Sequence, residues 1–170
     1  MFLEAHATLT LPADMGRTGV ERALAAYANG NHDQLTGNGL DFFLEVGPGA
    51  LAPGLSKAVH ARVLPARQVR EAVVIPLRWE PTGRAGRIYP SLDANLAITA
   101  VDESTCVLSM VSTYTPPLGA IGVGLDKVAL RRVGQATIEA FLRRLAADAV
   151  EHCRRQRSRD AGCRVVAGTG

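Results

Sequence analysis

Hydrophobic residues recur at every second position through much of the chain, and that period predicts strands. Leu3, Ala5, Ala7, Leu9 and Leu11 alternate with Glu4, His6, Thr8 and Thr10 until Pro12 ends the run. The same period returns with Phe42, Leu44 and Val46 over 41–46, and with Val59, Ala61 and Val63 over 57–64. It continues with Val73, Ile75, Leu77 and Trp79 over 68–80, and with Leu92, Ala94, Leu96 and Ile98 over 91–100. Cys106, Leu108, Met110 and Tyr114 complete the series over 105–114. Gly47-Pro48-Gly49, Pro65 to Arg67, Gly83 to Arg87 and Asp102 to Ser104 supply turn residues between the runs. Strands so closely spaced predict one antiparallel sheet, with Pro76 marking an edge or a bulge.

Two stretches read as helices instead. Thr18 and Glu21 have the spacing of a capping box, and Val20, Ala23, Leu24 and Tyr27 follow at helical intervals before Asn29-Gly30. A single short turn is expected over His32 to Leu35. After Pro116-Pro117-Leu118-Gly119, apolar positions fall at Leu125, Val128, Val133, Thr137, Phe141, Leu145 and Ala149, in steps of mostly four. An amphipathic helix of about 25 residues, roughly 40 Å long, fits this pattern. Beyond it the chain is rich in Arg, Gln, Ser and Gly. The reading is one domain over 1–152 and a disordered Arg-rich tail over 153–170.

Composition agrees with a folded domain: 170 residues, 47% hydrophobic and 21% charged. No stretch approaches the ~18 unbroken apolar residues of a membrane span. The first ten residues alternate and carry Glu4 and His6, unlike a secretory leader. The formal charge is +3, but the segment after Glu151 holds five arginines against Asp160, so the remainder is near neutral at −1. A basic face for nucleic acid is therefore not expected. Of 19 Lys+Arg only Lys57 and Lys127 are lysines, a bias typical of GC-rich bacterial genomes. Cys106, Cys153 and Cys163 lack metal-ligand spacing and read as reduced thiols, which suits the cytoplasm.

Candidate chemistry is sparse. His6 and His60 alternate onto polar faces, while His32 and His152 sit apart from them, so no metal and no cofactor are expected. Asp41 and Glu45 share a strand face that reads as solvated, and Arg78 points away from Trp79. Nucleophile-elbow, zinc-protease and P-loop motifs are absent. Leu77, Trp79, Leu96, Leu108, Met110 and Tyr114 all fall on the inward face. Small residues accompany the last helix, among them Gly122, Gly124, Ala129, Gly134 and Ala136. Gly134 costs a helix about 1 kcal/mol against alanine, which close packing or pocket space would offset.

The order of strand, one or two helices, antiparallel strands and a long C-terminal helix resembles the START-like (SRPBCC) superfamily, with its polyketide cyclases and lipid-transfer domains. The most specific part is Tyr114-Thr115-Pro116-Pro117-Leu118-Gly119 leading into Gly122, Gly124, Leu125 and Asp126, which looks like the last-strand-to-helix junction of actinobacterial members. One departure is the lack of tryptophan between Gly19 and Leu40, since the only tryptophan is Trp79. The resemblance implies an α+β helix-grip fold, with a curved antiparallel sheet around the last helix and a cavity between them. It implies carriage of a hydrophobic small molecule, with Trp79, Leu96, Leu108, Met110, Tyr114 and Val133 as the expected ligand-binding residues. Trp79 and Tyr114 supply the polar handles. A packed core without a cavity is the competing reading. The enzymatic alternative is a cyclase or aromatase directing aldol closure and dehydration, with Tyr114 as proton donor near Ser112 or Asn95. A third possibility, binding of RNA or a membrane surface, rests on the five tail arginines alone.

Overall fold

Each alternating run of the sequence forms a strand, and all of them join one sheet. A computed structural model describes residues 1–29, 39–46, 57–81, 91–115 and 127–166. Its elements are β1 (Phe2–Leu9), α1 (Ala13–Asn29), β2 (Leu40–Val46), β3 (Lys57–Val63) and β4 (Arg67–Val69), then β5 (Ala72–Pro81), β6 (Ser91–Asp102), β7 (Thr105–Thr115) and α2 (Lys127–Val166). The strands are ordered β1-β7-β6-β5-β3-β2, with β4 beside β5, and every pairing is antiparallel. Inward residues of the strands share one core with Val20, Ala23 and Leu24 of α1 and with Ile138, Phe141, Leu142, Leu145 and Ala149 of α2. A curved sheet with both helices on its concave face is the helix-grip arrangement expected from the order of elements.

Local departures have local causes. α1 begins at Ala13, five residues before Thr18, so the Thr18–Glu21 spacing is not a capping box. Thr18 Oγ1 donates to the Asp14 carbonyl at 3.0 Å, and Glu21 pairs with Arg17 at 2.9 Å. The helix starts directly after Pro12, whose carbonyl accepts from Gly16 N–H at 2.8 Å, with Asp14 in the first turn favoured by the helix dipole. The expected strand over 68–80 is divided by a turn at Arg70, which adopts φ 54°, into β4 and β5. Pro76 lies between the stretches of β5 that pair with β3 and with β4. Its carbonyl accepts from Leu64 N–H at 2.9 Å, so its nitrogen faces the same break, where a missing N–H interrupts no ladder. β5 is thus interior to the sheet and not an edge.

The last helix differs most from expectation. It runs 40 residues, roughly 60 Å, and does not stop at His152. Residues 153–166, expected as disordered, continue the helix, and 167–170 lie outside the described residues. Cys153 is buried against α1 and its thiol donates to the Met15 carbonyl at 3.2 Å. Arg155 pairs with Glu151 one turn back at 2.9 Å. The buried face is Leu130, Gly134, Ile138, Phe141, Leu142, Leu145, Ala149 and Cys153. Val128 is 55% exposed, and Val133 and Thr137 are half-buried beside the core face, so these expected inward positions are corrected. The turn expected over His32 to Leu35, and Gly122, Gly124 and Leu125, fall outside the described residues.

Candidate functional site

Strand register decides which inward residues meet. One cross-strand row on the concave face runs Phe42, Ala61, Trp79, Leu92 and Tyr114. The next is Leu40, Val63, Leu77, Ala94, Ser112 and Leu3, and the one after it Ile75, Leu96, Met110 and Ala5. Trp79 and Tyr114 therefore sit together, separated only by Leu92. Leu96 and Met110 share the face but lie roughly 13 Å along their strands from that row, and Leu108 is farther still. Val133 is off the core face. The six residues expected at the site thus resolve into one pair, Trp79 and Tyr114, with the others at increasing distance.

Phe141, which the sequence did not single out for the site, completes the surroundings of the pair with Gly134 and Ser112, which it did. Phe141 meets Trp79 edge to face, with centroids 5.3 Å apart at 82°. Tyr114 lies against Gly134, where an added methyl would come within 3.5 Å of the ring and 2.9 Å of Leu3 Cδ1. Gly134 therefore serves close packing. Ser112, the neighbouring buried polar residue, gives its hydroxyl to the Leu3 carbonyl at 3.2 Å. Asn95 is exposed on the opposite face.

Among the described residues neither the Tyr114 hydroxyl nor the Trp79 indole N–H makes a hydrogen bond, although the two residues are only 6% and 2% exposed. No fully sealed polar side-chain atom lacks a partner among those residues. The two tips are therefore not fully sealed. Burial alone pushes the Tyr114 phenol up to about 12. The ends of β5, β6 and β7 that carry this row adjoin residues 82–90 and 116–126, which lie outside the described residues.

Other titratable groups have structural partners. Asp41, expected to be solvated, is nearly buried, with Arg62 at 2.8 Å and His60 at 3.5 Å on the convex face. Arg78, on that face as expected, pairs with Asp93 at 3.0 Å and Glu80 at 3.2 Å. Burial raises the thiols of Cys106 and Cys153, which keeps them protonated. The Tyr27 hydroxyl donates to the Asp148 carboxylate, with Arg144 5.4 Å over the ring centre, and this trio ties α1 to α2. Desolvation first, then the Asp148 contact, holds the Tyr27 phenol well above its ordinary range. No spacing in the sequence announces this pair. Two cavities lie away from Trp79 and Tyr114: one of ≈190 Å³ between Leu24, Leu40, Val63 and Ile75, and a groove of ≈550 Å³ between β1 and α2. Among the described residues no group of three His, Cys, Asp or Glu is placed to hold a metal, and no helix is long and apolar enough to cross a membrane.

No protein-family model and no curated protein sequence matches the chain. Solved structures do. The ZhuI aromatase/cyclase of a Streptomyces species superposes with a TM-score of 0.54 at 17% identity, covering 88% of this chain and 93% of that one. A conserved protein from Geobacillus kaustophilus gives 0.55 at 11% identity, covering 87% and 94%. At such identities the likeness is one of fold, the helix grip.

Proposed function

We propose that the chain binds and carries a hydrophobic small molecule, a lipid, polyketide or compound of similar character, between the concave face and α2, without chemical turnover. The observation that carries this reading is that, among the described residues, the Tyr114 hydroxyl and the Trp79 indole N–H have no hydrogen-bond partner, in a row otherwise built of Phe42, Ala61 and Leu92 and faced by Phe141 of α2. Apolar area drives burial of such a ligand, and two donors orient it. The buried, reduced Cys106 and Cys153 suit a cytoplasmic location.

The second reading is a cyclase, favoured by the shared fold of the Streptomyces aromatase/cyclase and by a phenol that keeps its proton to about pH 12. Tyr114 would donate to a ketone oxygen. Aldol closure also needs a base, and the companions expected for Tyr114 are otherwise engaged: Ser112 on the Leu3 carbonyl, Asn95 on the far face. Carriage is therefore preferred.

Native mass spectrometry of the full chain purified from its host tests both. A retained non-covalent mass that stays unchanged over hours, and is lost from Trp79→Ala, supports carriage. A bound species that loses water on standing supports the cyclase. A crystal structure with the face between Trp79, Tyr114 and α2 filled by side chains alone overturns both.

A further inference from the structure

β1 ends the sheet, and its outer edge carries backbone groups whose direction the contacts fix. The Leu3 carbonyl accepts from Ser112, and the Met1 carbonyl accepts from Tyr114 N–H, so odd-numbered residues point toward β7. The Glu4 carbonyl points the other way and accepts from Gln135 Nε2 of α2 at 2.6 Å. By the alternation of an antiparallel strand, His6 and Thr8 also aim their N–H and C=O groups at the open edge. Among the described residues nothing pairs with them. These groups face the ≈550 Å³ groove, whose far wall on α2 is Arg143, Ala146, Ala147, Val150 and Arg154.

The wall is cationic at both ends and small and apolar between them. Five arginines face two carboxylates between residues 143 and 158. Arg154 has no ion pair among the described residues, and Arg143 is 3.8 Å from Glu139. Glu151 is taken by Arg155, and Glu4 lies beside His6 at 3.2 Å. Arg154 lies eleven positions after Arg143, roughly 16 Å along the helix, and four steps of an extended chain cover about 13 Å, a difference the long arginine side chains span. Side chains of an added strand alternate, so those turned to α2 fall at i, i+2 and i+4. An acid at i and i+4 reaches the two arginines, and a small apolar residue at i+2 lies on Ala146, Ala147 and Val150.

We propose that the groove between β1 and α2 docks an extended acidic peptide segment of a partner protein, added to the sheet alongside His6 and Thr8, with two acids four residues apart held by Arg143 and Arg154. Backbone bonds to the edge supply affinity, and the spacing of the arginines supplies selectivity. This surface is separate from the Trp79 and Tyr114 row and does not depend on what binds there.

The test is selection from a displayed library of random dodecapeptides on the full chain, followed by affinity and amide-exchange measurements with the enriched peptides. The expected peptides carry two acids at i and i+4, weaken on the order of tenfold with Arg143→Glu/Arg154→Glu, and slow exchange at the His6 and Thr8 amides. Thr8→Pro removes one outward N–H without breaking a bond to β7, and is expected to weaken binding similarly. Should that variant fail to fold, amide protection in the unaltered chain decides. No enriched peptide, peptides without paired acids, or binding indifferent to the arginines overturns the proposal. So does concentration-dependent dimerisation abolished by Thr8→Pro, which would assign the edge to a second copy. Single-stranded DNA binding through the same arginines without protection of His6 and Thr8 would also overturn it.

Discussion

Replacing Gly19 by alanine is expected to destabilise the protein, whereas the same replacement at Gly134 is expected to be neutral or slightly stabilising. Both glycines lie inside helices, so each alanine gains about 1 kcal/mol of helix propensity. What the new methyl meets is different. At Gly19 it would stand 2.6 Å from the Ala149 carbonyl oxygen and 3.1 Å from its carbon, with Cys153 Sγ at 2.9 Å. Two of those atoms are backbone of α2, so the helices themselves must move apart by roughly 0.8 Å, an overpacking that costs about 1–3 kcal/mol. At Gly134 the shortest approach is Leu3 Cδ1 at 2.9 Å, the end of a side chain that can turn aside, while the Tyr114 ring at 3.5 Å is in ordinary contact. The two variants should therefore separate by about 1–2 kcal/mol, or several degrees in Tm at about 2–4 °C per kcal/mol. Urea unfolding followed by circular dichroism and Trp79 fluorescence measures this, with equal m-values as the control. Equal stabilisation by both alanines, or a greater loss at Gly134, would refute the crossing geometry of α1 and α2.

Alkaline conditions should weaken the fold through Tyr114. Its phenol ionises near 10 when unfolded and near 12 in the native chain, so its contribution is complete below pH 10 and disappears as pH rises through 12. The loss is on the order of 2–3 kcal/mol, read from urea midpoints at pH 9 and 11.5, and Tyr114→Phe should flatten the slope. Tyr27 shifts in the same direction, so ultraviolet titration should show phenols that resist ionisation until the protein unfolds. Phe141→Ala should cost about 3–5 kcal/mol and red-shift Trp79 emission. A double-mutant cycle with Trp79→Leu should return a coupling of about 0.5–1.5 kcal/mol, and no coupling would deny the edge-to-face contact.

The strands were legible because period two is insensitive to small errors in where a run begins. Leu3, Ala5 and Leu9 of β1, or Leu92, Leu96 and Ile98 of β6, keep the same face wherever the strand ends. The face of α2 was not legible in the same way. Steps of four advance 400° around a helix, a drift of about 40° each, so stepping back from Phe141 through Thr137 reaches Val133 about 80° off the core. The true stripe, Leu130, Gly134, Ile138 and Phe141, corrects this with a step of three and includes a glycine that hydropathy does not score. Register was invisible too. Nothing local places Arg62 and His60 on Asp41, or sets Leu92 between Trp79 and Tyr114. Tyr27 and Asp148 are 121 residues apart, and their contact depends on how α1 crosses α2.

The unequal attachment of α2 says where a ligand could enter. The helix packs closely on α1, β1 and β7, while β5 and β6 are not among its main neighbours. It is pinned along that side by Gln135 on the Glu4 carbonyl, Asp148 on Tyr27 and Cys153 on the Met15 carbonyl. Over the middle of the sheet the connection is made by side chains instead, chiefly Phe141 on Trp79. Moving the helix breaks hydrogen bonds and separates α1 from α2. Turning one aromatic aside gives up about 0.5–1.5 kcal/mol of ring contact plus the area it covers. On the carriage proposal, a ligand that replaces Phe141 against Trp79 recovers that area and meets the tips of Trp79 and Tyr114, which have no hydrogen-bond partner among the described residues. For the proposed ligand, the lower-cost route into the grip is therefore past Phe141, with α2 held in place.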